Sequence, residues 1–201
     1  MFNNYKNQVI IVSPSLDPKV NVSGVSSVVN FIVNNNKDVN YIHFQQGKAD
    51  TENGGKLARI NRILQSYKSW KCLLKDTKDS LIHYNMSMDA RSIIRDVPFI
   101  RYAYRHKRRI LVHVHGGKYL FTKHRPKLID MFLKKLFSMK LPVVVLSDNE
   151  KEIIEKHYHH GDVHVMPNVV DLSDATTFDR CVGGKNSLKF CLRKNYCREG
   201  Y

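Results

Sequence analysis

The chain of 201 residues predicts an α/β domain built on a mostly parallel, doubly wound sheet. Three observations predict it. Short β-branched runs recur with helix-length segments between them, the first run is apolar at every position, and one strand candidate leads straight into a capped helix. Residues 9–12 read Val-Ile-Ile-Val, the pattern of a strand covered on both faces. A first helix is expected over 24–34, where Val25, Val28, Val29 and Ile32 recur at helical spacing. Residues 40–44 make the second strand. The second helix, over 55–75, places Leu57, Ile60, Ile63, Leu64, Tyr67 and Leu74 on one broad stripe. Residues 80–84 make the third strand, and 87–106 a helix with an expected break at Pro98, which lacks an amide donor and crowds the preceding turn. The fourth strand is 110–114. The helix over 127–140 carries Leu128, Met131, Phe132, Lys135 and Leu136 in register. The fifth strand, 143–146, runs into Ser147-Asp148-Asn149-Glu150, a capping box with Ile153 and Ile154 as the apolar face beyond it. Residues 163–166 make the sixth strand. Six strands alternating with helices imply parallel pairing and right-handed crossovers, a Rossmann-like arrangement.

Composition narrows the class. Hydrophobic residues make up 42% and aromatics 10%, enough for a packed core rather than a disordered chain. No apolar run reaches the ~20 residues of a bilayer-spanning helix. The polar start, Met1 to Gln8, does not read as a secretory leader, so a cytoplasmic location is expected. Cys72, Cys181, Cys191 and Cys197 lack zinc-like pairing and read as reduced thiols. The extreme number is charge: thirty-three basic residues against eighteen acidic give +15. Between Arg101 and Lys140 there are twelve Lys or Arg against one acid, Asp130. Such a field favours an anionic partner.

In a doubly wound sheet, ligands sit outside the carboxyl ends of the strands, so the loops there carry the chemistry. After the first strand, Ser23 and Gly24 open a helix whose exposed amides can hold a phosphate. A plain serine-capped helix entry explains the same residues, and the dinucleotide pattern G-x-G-x-x-G is absent. After the fourth strand comes His113-Val114-His115-Gly116-Gly117-Lys118. Alternation sends both histidines to one side, with His115 at the strand's end and two glycines behind it that permit close approach to a ligand. A neutral imidazole there can orient a sugar hydroxyl or exchange a proton with it. Buried structural histidines are the alternative. A metal site needs further ligands that the neighbouring sequence does not supply, so none is expected. Pro167-Asn168 after the sixth strand is an ordinary turn signal. His157, His159, His160 and His164 read as a solvated helix end.

Gly24-Val25-Ser26-Ser27-Val28, His113-Val114-His115-Gly116-Gly117, Val145-Leu146-Ser147 and Pro167-Asn168-Val169-Val170-Asp171 occur in an order that resembles one family. Over about residues 7 to 172 the chain is similar to the N-terminal half of family-4-like retaining glycosyltransferases of the GT-B type, especially those of bacterial capsule and surface polysaccharide biosynthesis. The resemblance implies a transferase that moves a sugar from a nucleotide-sugar donor to a glycan acceptor, often lipid-linked. The nucleotide-sugar is a substrate, and no cofactor is implied. It implies that Ser23 and Gly24 face the donor phosphates, and that His115, followed by Gly116, Gly117 and Lys118, lines the cleft as the catalytic imidazole. Ser147, Asn168 and Asp171 take further donor or acceptor contacts, the last two leading into the interdomain linker. Two positions depart from the family: Ser23 and Val169 stand where glycine is usual.

The resemblance sets a domain at 1–172 and a linker with an aberrant tail at 173–201. The family's donor domain, with its paired glutamates, is expected to be missing, since only thirty residues follow Asp171. Residues 193–201 admit codons that, read one nucleotide forward, give Gly-Lys-Ile-Thr-Ala-Glu-Lys-Gly, close to the family's next motif. A truncated or frameshifted product is therefore expected, and a chain without the donor half is expected to lack transferase activity.

In this reading the basic stretch, namely Arg101, Arg105, Lys107, Arg108, Arg109, Lys123, Arg125, Lys127, Lys134 and Lys135, docks on the inner face of the cell membrane. Phe121, Phe132, Leu133 and Phe137 are expected either to add apolar insertion or to pack on the sheet beneath a solvated basic helix face. A basic nucleic-acid-binding module is the rival, but no recognition helix, stacking platform or zinc finger is visible. Another nucleotide-binding α/β enzyme is the third reading, against which the absence of G-x-x-x-x-G-K-[ST] weighs.

Overall fold

A computed structural model describes residues 8–168 apart from 18, 22, 48–54 and 123. The expected tail, Lys123, Val169 and Asp171 lie outside the described residues. Strands and helices alternate in the order β1 (Gln8–Ser13), α1 (Gly24–Asn35), β2 (Asn40–Gln45), α2 (Lys56–Asp76), β3 (Leu81–Met86), α3 (Ala90–Arg105), β4 (Ile110–Val114), α4 (Lys118–Phe121), α5 (Lys127–Ser138), β5 (Val143–Val145), α6 (Asp148–Tyr158) and β6 (Val163–Val165). The six strands pair in the order β2-β1-β3-β4-β5-β6, and every pair is parallel. The predicted Rossmann-like, doubly wound α/β fold is the fold of the described chain. Its strand order reverses between β1 and β3, which is the topological switch point where such sheets open a crevice.

The crossover from β1 to β2 runs one way across the sheet and the later crossovers run the other way, so right-handed connections put α1, alone among the described helices, on one face. Ile10, Val12, Ile82, Tyr84, Val112, Val114 and Val143 point to the opposite face. There they pack with Trp70 of α2, Phe99 and Ile100 of α3, Leu133 and Phe137 of α5, and Ile154 of α6. An aromatic cluster seals the α2–α3 seam: Trp70 lies 4.9 Å from Phe44, and its indole donates to the Phe99 carbonyl at 3.1 Å. The α1 face is different. Register places Ile11 beside His43 and His83, and Asn85 beside His113, so it carries a band of imidazoles and one amide.

Four expectations change. His160, expected at a solvated helix end, is 1% exposed, with its ring nitrogens 3.0 Å from the Phe137 carbonyl and 2.7 Å from that of Leu141. The break at Pro98 does not occur, because α3 runs through it as one helix of 16 residues. The carbonyl that loses its donor belongs to Ile94, a residue 40% exposed on the outer side of the helix, while Ile93, Val97, Phe99 and Ile100 are buried and hold the helix against the core. The apolar stripe of α2 is buried only toward its carboxyl end: Trp70 and Leu74 are core, whereas Leu57, Ile60 and Leu64 face solvent. Leu133 and Phe137 are core residues of α5, each 1% exposed, so neither can insert into a bilayer.

Candidate functional site at the carboxyl ends of the strands

β1 ends at Ser13, whose hydroxyl donates to the Pro14 carbonyl at 2.9 Å and lies 3.0 Å from His43 Nε2. The chain then reaches Ser23, which caps α1 by accepting from the Ser26 amide at 3.2 Å. Gly24 has ordinary helical backbone and nothing within 4 Å of where a side chain would begin. The start of α1 is open at Gly24, which local sterics do not demand, while Ser26 behind it is buried with its amide taken by the cap.

β4 ends beside β3, and two backbone contacts lock their loops together. The Met88 amide donates to the Gly116 carbonyl at 2.7 Å, and the Tyr119 amide to the Met88 carbonyl at 2.9 Å. Gly117, at φ 131°, passes so close that a Cβ would lie 2.7 Å from the Met88 backbone. The glycine pair thus serves loop-on-loop packing, and Lys118 is exposed at the start of α4. Ser147 accepts from the Glu150 amide at 3.4 Å, and the buried Glu150 carboxylate accepts from the Leu146 amide at 2.7 Å, which completes the predicted helix start. Asn168 is exposed just past β6.

His115 follows β4 directly, part-exposed at the sheet's carboxyl edge, with its amide bound to the Met86 carbonyl at 2.9 Å. Its Nε2 lies 2.8 Å from Asn85 Oδ1 on β3. Behind it the His113 ring packs with its centroid 4.0 Å away and its plane tilted by 34°, and His113 Nδ1 meets His83 Nε2 at 3.2 Å. Burial disfavours the charged form of all three rings. It lowers His83 to about 4, His115 to about 4 with help from His83, and His113 to about 2 with help from both neighbours. The three imidazoles are neutral at pH 7. Among the described residues no group of three or more His, Cys, Asp or Glu side chains is arranged to hold a metal ion.

The candidates spread along one edge rather than converging on one point. Ser23 and Gly24 follow β1 and Asn168 follows β6, each two strands from β4, or roughly 10 Å at the usual strand spacing. Asn85 was not anticipated. The signal was in β3, where alternation puts polar His83 and Asn85 on the same buried face as His113.

The basic stretch is continuous in sequence and divided in space. Lys118, Arg125 and Lys127 lie at the carboxyl edge. Arg101 and Arg105 near the end of α3, and Lys107, Arg108 and Arg109 after it, lie toward the amino edge. Lys134 and Lys135 are exposed farther along α5, and Lys134 pairs with Asp130 at 2.7 Å. Several guanidinium groups are held by backbone. Arg108 donates to the Leu74, Thr77 and Ser80 carbonyls, Arg109 to that of Asp79, and Arg125 to those of Tyr119 and Leu120. No helix among the described residues is long and apolar enough to cross a membrane.

No family model, curated protein or solved structure matches the chain.

Proposed function

We propose that this domain is the acceptor-side half of a glycosyltransferase that moves a sugar from a nucleotide-sugar to a glycan acceptor carried on a lipid. The observation that supports this reading most is the neutral, part-exposed imidazole of His115 at the carboxyl edge, one strand from the switch point. A sugar offers hydroxyl groups and little charge. A neutral ring that accepts a hydrogen bond orients such a hydroxyl without the desolvation cost of a buried cation. The open start of α1 supplies amide donors toward which a donor diphosphate is attracted.

The same edge presents Phe121, Leu128 and Met131, all about half exposed, beside Lys118 and Lys127. In this reading those residues seat the domain on an anionic leaflet and bring the crevice to lipid-linked acceptors. No resident cofactor is required.

A thermal-shift panel of sugar nucleotides, lipid-linked glycans and short oligonucleotides tests the reading on the wild-type chain and on His115→Ala. Glycans or sugar nucleotides are expected to raise the melting temperature of the wild type and to lose most of that effect in the variant. Stabilisation by oligonucleotides alone, equal in both proteins, would instead identify a nucleic-acid-binding module.

A further inference from the structure

We infer that Asn85 is a positioning residue that fixes the His115 tautomer, placing the ring proton on Nε2 and leaving Nδ1 as the hydrogen-bond acceptor at the crevice. The inference deepens the glycosyltransferase reading and rests on it only for the identity of the ligand.

The argument runs through the amide of Asn85. Its Nδ2 lies 3.1 Å from the Val12 carbonyl and 3.5 Å from that of His83, two residues back on the same strand. Carbonyl oxygens only accept, so the amide nitrogen must be the atom facing them. That anchoring removes the ambiguity between the two ends of the amide and turns Oδ1 toward His115. Oδ1 in turn only accepts. The 2.8 Å contact to His115 Nε2 is therefore a hydrogen bond only if Nε2 carries the hydrogen. In a neutral imidazole the other nitrogen then holds the lone pair.

Among the described residues the His115 ring makes its hydrogen bond through Nε2, none is made by Nδ1, and the side chain is part-exposed. Nδ1 is also absent from the buried polar atoms left without a partner, which include His113 Nε2. Among the described residues the remaining acceptor thus belongs to a side chain that solvent partly reaches. Asn85 itself is 4% exposed, and its strand is paired on both sides, so the amide has little freedom to turn. The ligand chemistry follows: a group that donates, such as a hydroxyl, and not an anion or a carbonyl.

The wild-type chain decides the matter without any ligand. Long-range proton–nitrogen correlation spectra at pH 7 are expected to show His115 as a single neutral tautomer protonated at Nε2. A proton on Nδ1, or an even mixture, overturns the inference. Asn85→Leu is expected to turn the single tautomer into a mixture, whereas Asn85→Asp, which keeps an acceptor toward Nε2 but loses the donor to the Val12 carbonyl, is expected to retain it and to raise the ring's pKa. An unchanged tautomer in Asn85→Leu, or a flipped one in Asn85→Asp, also overturns it. Titration with a glycan fragment then tests the functional reading separately. The Nδ1 resonance moves if a hydroxyl binds there, and a resonance that stays fixed counts against the glycan and not against Asn85.

Discussion

At the scale of single residues, the carboxyl edge is held by positions whose roles are steric and electrostatic. Gly117 combines a backbone that side chains rarely adopt with contact to Met88. Gly117→Ala is expected to cost about 2–4 kcal/mol, from strain plus displacement of the β3 loop, read as a lower urea midpoint. An unchanged midpoint would mean that the two loops part freely. The imidazole band makes a second prediction. Folded His83, His113 and His115 titrate below the ordinary value of about 6.5, so between that value and about 4 the unfolded chain binds protons that the folded chain does not. Stability is complete above pH 6.5 and falls as pH drops, by on the order of 3 kcal/mol for His83 alone across the whole window. Urea titrations from pH 7 to 5, above the usual carboxylate range, are expected to show this decline, and His83→Leu to make it shallower. A flat profile would contradict the burial of these rings. Sequence reading found His113 and His115 because they flank a strand end beside two glycines. It missed Asn85 because the Oδ1 contact crosses between strands thirty residues apart, and no local pattern encodes that.

At the scale of elements, most boundaries were readable from periodicity and caps. β4 falls on the expected residues, and α6 begins directly after Ser147, where the capping box placed it. β3 continues to Met86, two residues beyond the apolar pattern, because its end is buried under the β4 loop. The four-residue α4 is too short to show a helical period. Pro98 shows where propensity yields to packing. A proline inside a helix costs about 3 kcal/mol, yet α3 persists because its apolar face is almost wholly buried. Pro98→Ala returns a donor to the Ile94 carbonyl and is expected to raise stability by about 1 kcal/mol or more, seen as a higher melting temperature. A lower one would show that the proline ring's own packing outweighs the missing hydrogen bond.

At the scale of the molecule, fold class was legible and strand order was not. Alternation identifies six strands, but nothing local says that β3 returns to the far side of β1 and creates the switch point there. The charge excess was equally legible, while its distribution was not, since α5 carries basic residues from the carboxyl edge toward the amino edge and Arg108 and Arg125 are bound to backbone carbonyls. In the proposed reading, membrane docking would fall to the carboxyl-edge group. Lys118→Glu with Lys127→Glu is expected to weaken sedimentation with anionic vesicles by about tenfold or more, given roughly 1 kcal/mol per basic residue. Equal binding to neutral vesicles would remove the electrostatic basis of docking.

In the proposed reading, His115 meets a sugar hydroxyl at this edge. Following the ring-nitrogen resonances of the wild-type chain during titration with a lipid-linked glycan tests it most directly. The account predicts a saturable shift at His115 Nδ1 while the buried His83 stays still. A silent His115, with shifts confined to basic residues of α3 and α5 and produced equally by an oligonucleotide, would contradict it.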